Sequence, residues 1–300
     1  MPQSVLAPRG LSRHGRSSRG FGDCDHRRVE PDNKAVAAGV FERAARAYEP
    51  AGVDFFNRMG RRLVELSRVA RGEQVRDLGC GRGASLFPAA AAVGPTGHVV
   101  GLDLAPTMVE LTAADARGLA QVDVRVGDAD DPDVPAGSFD AVLAGQVIFF
   151  MPSVASALRR WARLLRPGGR IAFSTFGPRD PNAEATMRAI EPLLTGGPPP
   201  RGVSTAEVAD PDAVRRTIAE AGLELIGLVA ESFETSFPDA DAWFDWSWTQ
   251  GARAVLERIP ADRLDEARAI AMDTIATART HQGTYVFTTA VNYTVARPQL

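Results

Sequence analysis

The sequence of 300 residues contains little cysteine and almost no lysine. Its two cysteines, Cys24 and Cys80, are too few for a disulfide framework and lack the spacing of metal ligands, so we expect no metal site. Lys34 is the only lysine, and arginine supplies the other basic residues. The 34 basic and 37 acidic residues give a net charge of −3, which offers no attraction to a phosphate backbone and excludes nucleic acid as the expected partner.

Long apolar runs are also missing. No run approaches the roughly 18 to 20 residues that a helix needs to cross a bilayer, and the first residues lack the apolar stretch of a secretory signal. We therefore expect a cytoplasmic protein without a membrane partner. Hydrophobic residues at 45% and charged residues at 24% are typical of a globular chain, for which a small molecule is the expected partner.

The beginning of the chain differs in composition from the rest. Residues 1–33 are rich in arginine, serine and glycine without a hydrophobic period, which predicts a disordered tail. Apolar residues then recur at helical spacing over 35–69 and predict two helices. We expect one domain over 34–300, composed of an N-terminal helical cap (34–70), a cofactor-binding core (71–180) and an insertion or cap with the closing strands (181–300).

The centre of the chain alternates strands with helices. The pattern predicts strands at 74–78, 98–103, 122–127, 138–144 and 170–176, followed by two later strands at 223–236 and 283–297. It predicts helices over 153–165, 183–194, 211–221, 239–259 and 261–279. This alternation indicates an α/β fold with a parallel sheet covered on both faces.

A glycine-rich turn follows the first predicted strand and precedes a helix. The segment Asp77-Leu78-Gly79-Cys80-Gly81-Arg82-Gly83 lets a ligand approach the backbone closely and offers the free N–H groups of a helix N-terminus. The spacing of its glycines also satisfies the looser dinucleotide fingerprint, so the loop alone does not separate a nicotinamide cofactor from an adenosyl one. Asp77 favours a cationic ligand, because a diphosphate would be repelled by it.

Further aspartates stand at the ends of the next strands. Asp103 ends the second strand, where a carboxylate can accept hydrogen bonds from both hydroxyls of a ribose, and Asp128 follows the third in Gly127-Asp128-Ala129. Asp140 begins the fourth strand, so we expect it to be structural.

Together these segments resemble the class I S-adenosylmethionine-dependent methyltransferases, in particular small-molecule enzymes related to the ubiquinone and menaquinone C-methylases. The resemblance covers about residues 40–180. Its motifs are D-x-G-x-G-x-G from Asp77, the acid at Asp103, G-D-A at 127–129, F-D-x-V at 139–142 and L-R-P-G-G-R at 165–170. It implies a Rossmann-like, doubly wound sheet of seven strands with the last antiparallel, a helical cap, and S-adenosylmethionine as cofactor.

The resemblance also implies a role for individual residues. The three glycines would pass under the methionine moiety, Asp77 would order their loop, and Asp103 would hold the ribose. Asp128 and the amide of Ala129 would read the adenine edge while Met108 packs on its face. The residues assigned to the cofactor are Tyr48, Asp77, Gly79, Gly81, Gly83, Asp103, Leu104, Met108, Asp128, Ala129 and Gln146.

The acceptor side is less well marked. Phe149 and Phe150 follow the fourth strand at the sheet edge that holds ligands, so they are predicted either to line the acceptor pocket or to fill the core. Trp243 and Trp246 lie on one predicted helix and have the same two interpretations. His281 and Gln146 are the weak candidates for a catalytic role, although many relatives carry histidine or asparagine at the position of Gln146.

The reaction expected from the resemblance is metal-free methyl transfer to an oxygen or carbon atom of a small acceptor, which we expect to be a secondary metabolite. No N-P-P-Y or D-P-P-Y segment of nucleic-acid amine methylases and no acid of metal-dependent catechol methylases follows the fourth strand. Three alternatives stay open: a related enzyme that binds the cofactor but catalyses a cyclisation or decarboxylation, a nicotinamide-dependent oxidoreductase, and a non-catalytic binding module. The sequence leaves open the acceptor and the choice between a monomer and a homodimer.

Overall fold

The computed structural model describes residues 31–48, 53–196 and 205–299. The predicted tail over 1–30 and the proline run at 198–200 lie outside these residues. Helix α1 begins at Pro31, so residues 31–33 belong to this helix rather than to the tail. In the part of the chain that is described, none of the helices combines the length and the apolar character that a bilayer crossing requires.

Seven strands form one mixed sheet. They are β1 (Gln74–Leu78), β2 (His98–Asp103), β3 (Val122–Val126), β4 (Phe139–Gly145), β5 (Leu165–Phe176), β6 (Leu223–Phe237) and β7 (Tyr285–Pro298). Their order is β3-β2-β1-β4-β5-β7-β6, with β1 to β5 parallel and β7 antiparallel to both β5 and β6. The predicted doubly wound sheet of seven strands is thereby confirmed.

Ten α-helices flank this sheet in the described residues. They are α1 (Pro31–Ala44), α2 (Phe56–Ser67), α3 (Leu86–Val93), α4 (Pro106–Asp115), α5 (Val154–Arg163), α6 (Pro181–Ile190), α7 (Pro211–Glu220), α8 (Ala240–Ser247), α9 (Arg253–Leu256) and α10 (Leu264–Thr274). The central strands are buried almost throughout, because helices cover both of their faces. Trp161 of α5 is fully buried on one face, and Leu63 of α2 on the other.

The region after β5 forms a separate apolar cluster. Helices α6, α8, α9 and α10 pack together, with Trp243, Phe244 and Ile275 among its buried side chains. The single helix predicted over 239–259 is wrong in one respect, since it is divided into α8 and α9. The chain turns between them at Gly251, and the hydroxyl of Thr249 donates a hydrogen bond to the Trp246 carbonyl at 2.7 Å.

The junction of α5 and β5 also differs from prediction. The helix ends at Arg163, and β5 already begins at Leu165, before the Pro-Gly-Gly segment that was expected to precede the strand. The pairing with β4 is irregular here, because Phe139 pairs with Leu165 whereas Ala141 pairs with Arg170. The irregularity accommodates the additional residues of the β5 side.

Candidate active site

A large cavity lies at the carboxyl ends of the parallel strands. The strand order reverses between β1 and β4, and sheets of this type hold their ligands beside such a reversal. The cavity has a volume of about 510 Å³ and is lined by the glycine loop, by α1 and by the apolar cluster after β5. Its size and mostly apolar wall are typical of a small-molecule site.

The glycines of the loop after β1 serve different purposes. All three have positive φ, at 67° for Gly79, 50° for Gly81 and 87° for Gly83, so the turn requires residues that tolerate the left-handed region. A Cβ on Gly81 would meet no atom within 4 Å, which means that this residue faces open space in the cavity. A Cβ on Gly79 would come within 2.5 Å of the Val147 side chain.

Gly83 requires a correction. It does not line the cavity, and a Cβ there would lie 2.3 Å from the ring of Phe87 in α3. The glycine at this position therefore allows the close packing of the loop on the helix that follows, rather than contact with a ligand.

The carboxyl group of Asp77 is buried without a full set of partners. The residue is 1% exposed, and its Oδ2 atom has no hydrogen-bond partner. Burial and the nearby charge of Asp103 raise the pKa of Asp77 to about 8, although the Arg76 guanidinium opposes the shift. A cationic ligand group at the loop would supply the charge that this carboxylate lacks.

Asp103 fixes the loop to the end of β2. Its Oδ2 accepts a hydrogen bond from the Gly81 amide at 2.8 Å, and its Oδ1 accepts one from the Ala105 amide at 2.9 Å. Burial raises the pKa of Asp103, and these two amides lower it in part. Each oxygen retains a second lone pair for a hydroxyl group of a ligand.

The end of β3 is tied to α1. Asp128 accepts a hydrogen bond from the Asp130 amide at 2.8 Å, and the ammonium group of Lys34 lies 2.8 Å from Asp128 and 2.9 Å from Asp130. The Ala129 carbonyl accepts a bond from the Trp161 indole at 2.7 Å, which holds the backbone of this segment in place. Sequence reasoning missed the contact of Lys34 with the cavity, and its only available signal was that the chain has a single lysine.

Gln146 has a strained backbone at the end of β4. Its φ is 56°, which is uncommon for a residue other than glycine and is often found at functional sites. Its side-chain nitrogen donates to the Ser174 hydroxyl at 3.2 Å and contacts the Met59 sulfur at 3.5 Å. Its side-chain oxygen is buried without a partner. The amide is thus held through its nitrogen, while its oxygen remains without a partner in a residue that lines the cavity.

Aromatic rings form the other half of the cavity. The four predicted acceptor residues, Phe149, Phe150, Trp243 and Trp246, all line it. The wall also includes rings that were not predicted, notably Phe287 of β7, which is stacked on Trp243 with centroids 5.0 Å apart. Several of these side chains contribute to the core as well, since Trp243 is only 4% exposed.

The remaining cofactor candidates occupy the end near α1. Tyr48, Leu104 and Met108 line the cavity together with Asp128 and Ala129. The ring of Tyr48 is stacked on Phe56 of α2, with centroids 4.9 Å apart and planes 17° apart. Met108 is 1% exposed and packs in a small cluster with Ala45 and Ala105.

The structure does not bring His281 to the cavity. This residue is exposed in the turn before β7, and it is not among the lining residues. The structure therefore does not support a catalytic role for His281, because its side chain lies outside the cavity although β7 begins at the end of the sheet where β5 ends. In the described ranges no group of three histidine, cysteine or acidic side chains is placed to hold a metal ion.

Comparison with known proteins identifies the family. A model described as "Methyltransferase domain" matches residues 76–173. Nocamycin O-methyltransferase of Saccharothrix syringae is 40% identical over 240 residues, which cover 75% of this chain and 85% of that protein. Aklanonic acid methyltransferase DauC of Streptomyces sp. strain C5 is 47% identical over 144 residues, which cover 47% of this chain and 66% of that protein.

The fold has close counterparts among solved structures. The YcgJ protein of Bacillus subtilis superposes with a TM-score of 0.53 at 18% identity, over 81% of this chain and 99% of that chain. At 18% identity this similarity supports the fold alone, whereas the sequence matches to the two methyltransferases support the family. The chain belongs to the class I S-adenosylmethionine-dependent methyltransferases, and S-adenosylmethionine is its cofactor.

Proposed function

We propose that this enzyme methylates an oxygen or carbon atom of a small organic acceptor in secondary metabolism. One observation carries the proposal: a single cavity is lined both by the glycine loop and by the aromatic wall around Phe149 and Trp243. Two reactants held in one apolar space react as if at high effective concentration and with water excluded.

The glycine end fits S-adenosylmethionine by its own chemistry. The unpartnered Asp77 oxygen suits a ligand with positive charge, and the open space at Gly81 suits a ligand that lies against the backbone. Asp103 has lone pairs available for the ribose hydroxyls. When bound, this cofactor supplies a methyl group on a sulfonium, an activated leaving group, so the chain mainly has to bind, orient and exclude water.

The other cofactor residues follow from the same placement. Asp128 and Ala129 would contact the adenine edge, and Met108 and Leu104 would lie against its faces. Tyr48 would close the end of the cavity near α1.

The acceptor half supports a flat or extended apolar molecule. Stacked and edge-to-face rings, such as Trp243 on Phe287, present large apolar faces to the cavity. The names of the two relatives, nocamycin O-methyltransferase and aklanonic acid methyltransferase, support a small organic acceptor. We also propose a cytoplasmic location and the predicted division into cap (34–70), core (71–180) and insertion with closing strands (181–300).

The test is release of adenosylhomocysteine with a panel of phenols, carboxylic acids and enolisable ketones. We expect release that depends on the acceptor, and a methylated product of equal amount. Conversion of an acceptor without adenosylhomocysteine would instead support a cyclisation or decarboxylation. A rise in melting temperature with NAD rather than with the cofactor would support an oxidoreductase.

The control for this assay is Gly81→Val, whose side chain would fill the space beside the loop. It should lose both the binding of the cofactor and the release of adenosylhomocysteine. Equal release by this variant would show that the activity does not come from this site.

A further inference from the structure

The described wall of the cavity offers few side chains that could act as a base on the acceptor. It contains no histidine and no glutamate, and its acids are four aspartates. A general base must have a lone pair within reach of the acceptor's proton, so the partners of each carboxylate decide whether it can serve.

Three of these aspartates belong to the cofactor end. Asp77 lies behind the glycine loop, where its charge interacts with Asp103, and Asp103 accepts bonds from two loop amides. Asp128 is paired with the ammonium group of Lys34. A bound cofactor would lie between these groups and the acceptor.

The fourth aspartate, Asp180, holds the connection between β5 and α6. Its Oδ1 accepts bonds from the amides of Asn182 at 2.8 Å and Ala183 at 3.3 Å, which caps the helix. Its Oδ2 accepts a bond from the Thr288 amide of β7 at 2.9 Å. Oδ1 is thus fully occupied by backbone groups, whereas Oδ2 retains one lone pair on a carboxylate that three amides hold in place.

The same connection carries an unpaired cation. Three cationic side chains line the described wall: Lys34 is paired with Asp128 and Asp130, Arg82 is paired with Asp115, and Arg179 has no ion pair with any described residue.

The backbone on both sides of Arg179 is fixed to β7. The Gly177 amide donates to the Ala290 carbonyl at 2.8 Å on one side, and Asp180 accepts from the Thr288 amide on the other. The guanidinium is therefore attached to a well-anchored segment at the edge of the acceptor half.

We propose, on the basis of the methyl transfer proposed above, that the acceptor binds already ionised and that Arg179 binds its negative charge. The chemical class is an organic acid that loses its proton in neutral solution, either a carboxylic acid or an enolised 1,3-dicarbonyl compound. Arg179 is then a specificity-determining residue, and the transfer requires no base from the protein.

Methyl transfer to an anionic acceptor needs no base, because it releases no proton. A bond forms between the anionic oxygen or carbon and the methyl group while the methyl–sulfur bond breaks, and the electron pair of that bond remains on sulfur. The acceptor loses its negative charge and the sulfonium its positive charge, so no proton is released. A neutral phenol would have to release a proton during the transfer, and on the acceptor side of the described wall only the remaining lone pair of Asp180 could accept it.

The test measures binding to the enzyme saturated with adenosylhomocysteine. The first probe pair is anthraquinone-2-carboxylate and its neutral carboxamide, and the second probe is the enolate of 2-phenylindane-1,3-dione. Calorimetry should show the carboxylate or the enolate binding about tenfold more tightly than the carboxamide, the effect of one charge-assisted bond. Whichever of the two anions binds more tightly, the carboxylate or the enolate, identifies the class of acid that the site accepts.

The variant Arg179→Gln should abolish this preference and leave the affinity for adenosylhomocysteine unchanged. Arg188→Gln is the matched control, since Arg188 lies on α6, pairs with Glu184 and does not line the cavity. The proposal is overturned if the carboxamide binds as tightly as both anions, if neither anion binds, or if Arg179→Gln retains the preference. Failure of adenosylhomocysteine to bind would instead refute the proposed function, and the present proposal with it.

Discussion

Replacement of Asp77 by asparagine should change how the stability of the ligand-free protein depends on pH. Burial and the charge of Asp103 raise the pKa of Asp77 to about 8, whereas an exposed aspartate has a pKa of about 3.9. Between these values the folded protein retains a proton that the unfolded chain has released. The stabilisation is therefore complete below about pH 4 and is lost as the pH rises toward 8.

The magnitude follows from the shift. Each pH unit within the window changes the free energy of unfolding by about 1.4 kcal/mol, so the loss between pH 4 and pH 7 is on the order of 4 kcal/mol from this residue. Asparagine does not titrate. The difference in free energy of unfolding between Asp77→Asn and the wild type should therefore move in favour of the variant by that amount over the same range.

The assay is urea denaturation of both proteins at several pH values, without ligand. Parallel pH profiles would refute the reasoning, because they would mean that Asp77 is ionised in the folded protein. The second readout is calorimetry with S-adenosylmethionine in buffers of different ionisation enthalpy. Wild type should release a proton on binding below pH 8, as the cationic ligand lowers the pKa of Asp77, and Asp77→Asn should bind about tenfold more weakly without that release.

Three further substitutions test the site. Asp103→Ala should weaken binding of S-adenosylmethionine about ten- to a hundredfold, and unchanged affinity in calorimetry would contradict its contact with the ribose. Gly81→Val should nearly abolish binding of S-adenosylmethionine. Its control is Gly137→Val, at a glycine with φ of 65° and similarly open space, which should lower the stability of the protein without weakening binding. Equal losses of affinity in the two variants would assign the effect to backbone strain. Lys34→Gln should increase the dissociation rate of the cofactor about two- to fivefold at low salt, because it removes one partly exposed ion pair between α1 and Asp128. A stopped-flow rate equal to that of the wild type would show that α1 does not retain the cofactor.

The parts of the fold that depend on local sequence could be predicted closely. Strand β1 has the predicted bounds of 74–78, and the loop after it was recognised because the glycines that its positive φ angles require are visible in the sequence. The acid at Asp103 was predicted for a similar reason, since it ends a short buried strand. In each case the residues that determine the feature lie within a few positions of it.

Features that depend on contacts between distant segments were not predictable. Lys34 reaches Asp128 across 94 positions of sequence, and the stacking of Trp243 on Phe287 requires β7 to lie between β5 and β6. His281 was a catalytic candidate because the sequence does not show that its exposed turn leaves the side chain outside the cavity. The four predicted acceptor residues do line the cavity, but the contacts among the rings of the wall depend on the sheet order and could not be read from local sequence.

The most direct test of the site is a crystal structure of the complex with sinefungin. We expect the ligand to lie against Gly81, with the ribose hydroxyls within hydrogen-bonding distance of Asp103 and its amino group facing Asp77. A ligand bound elsewhere, with Asp103 still bonded only to the amides of Gly81 and Ala105, would contradict the assignment.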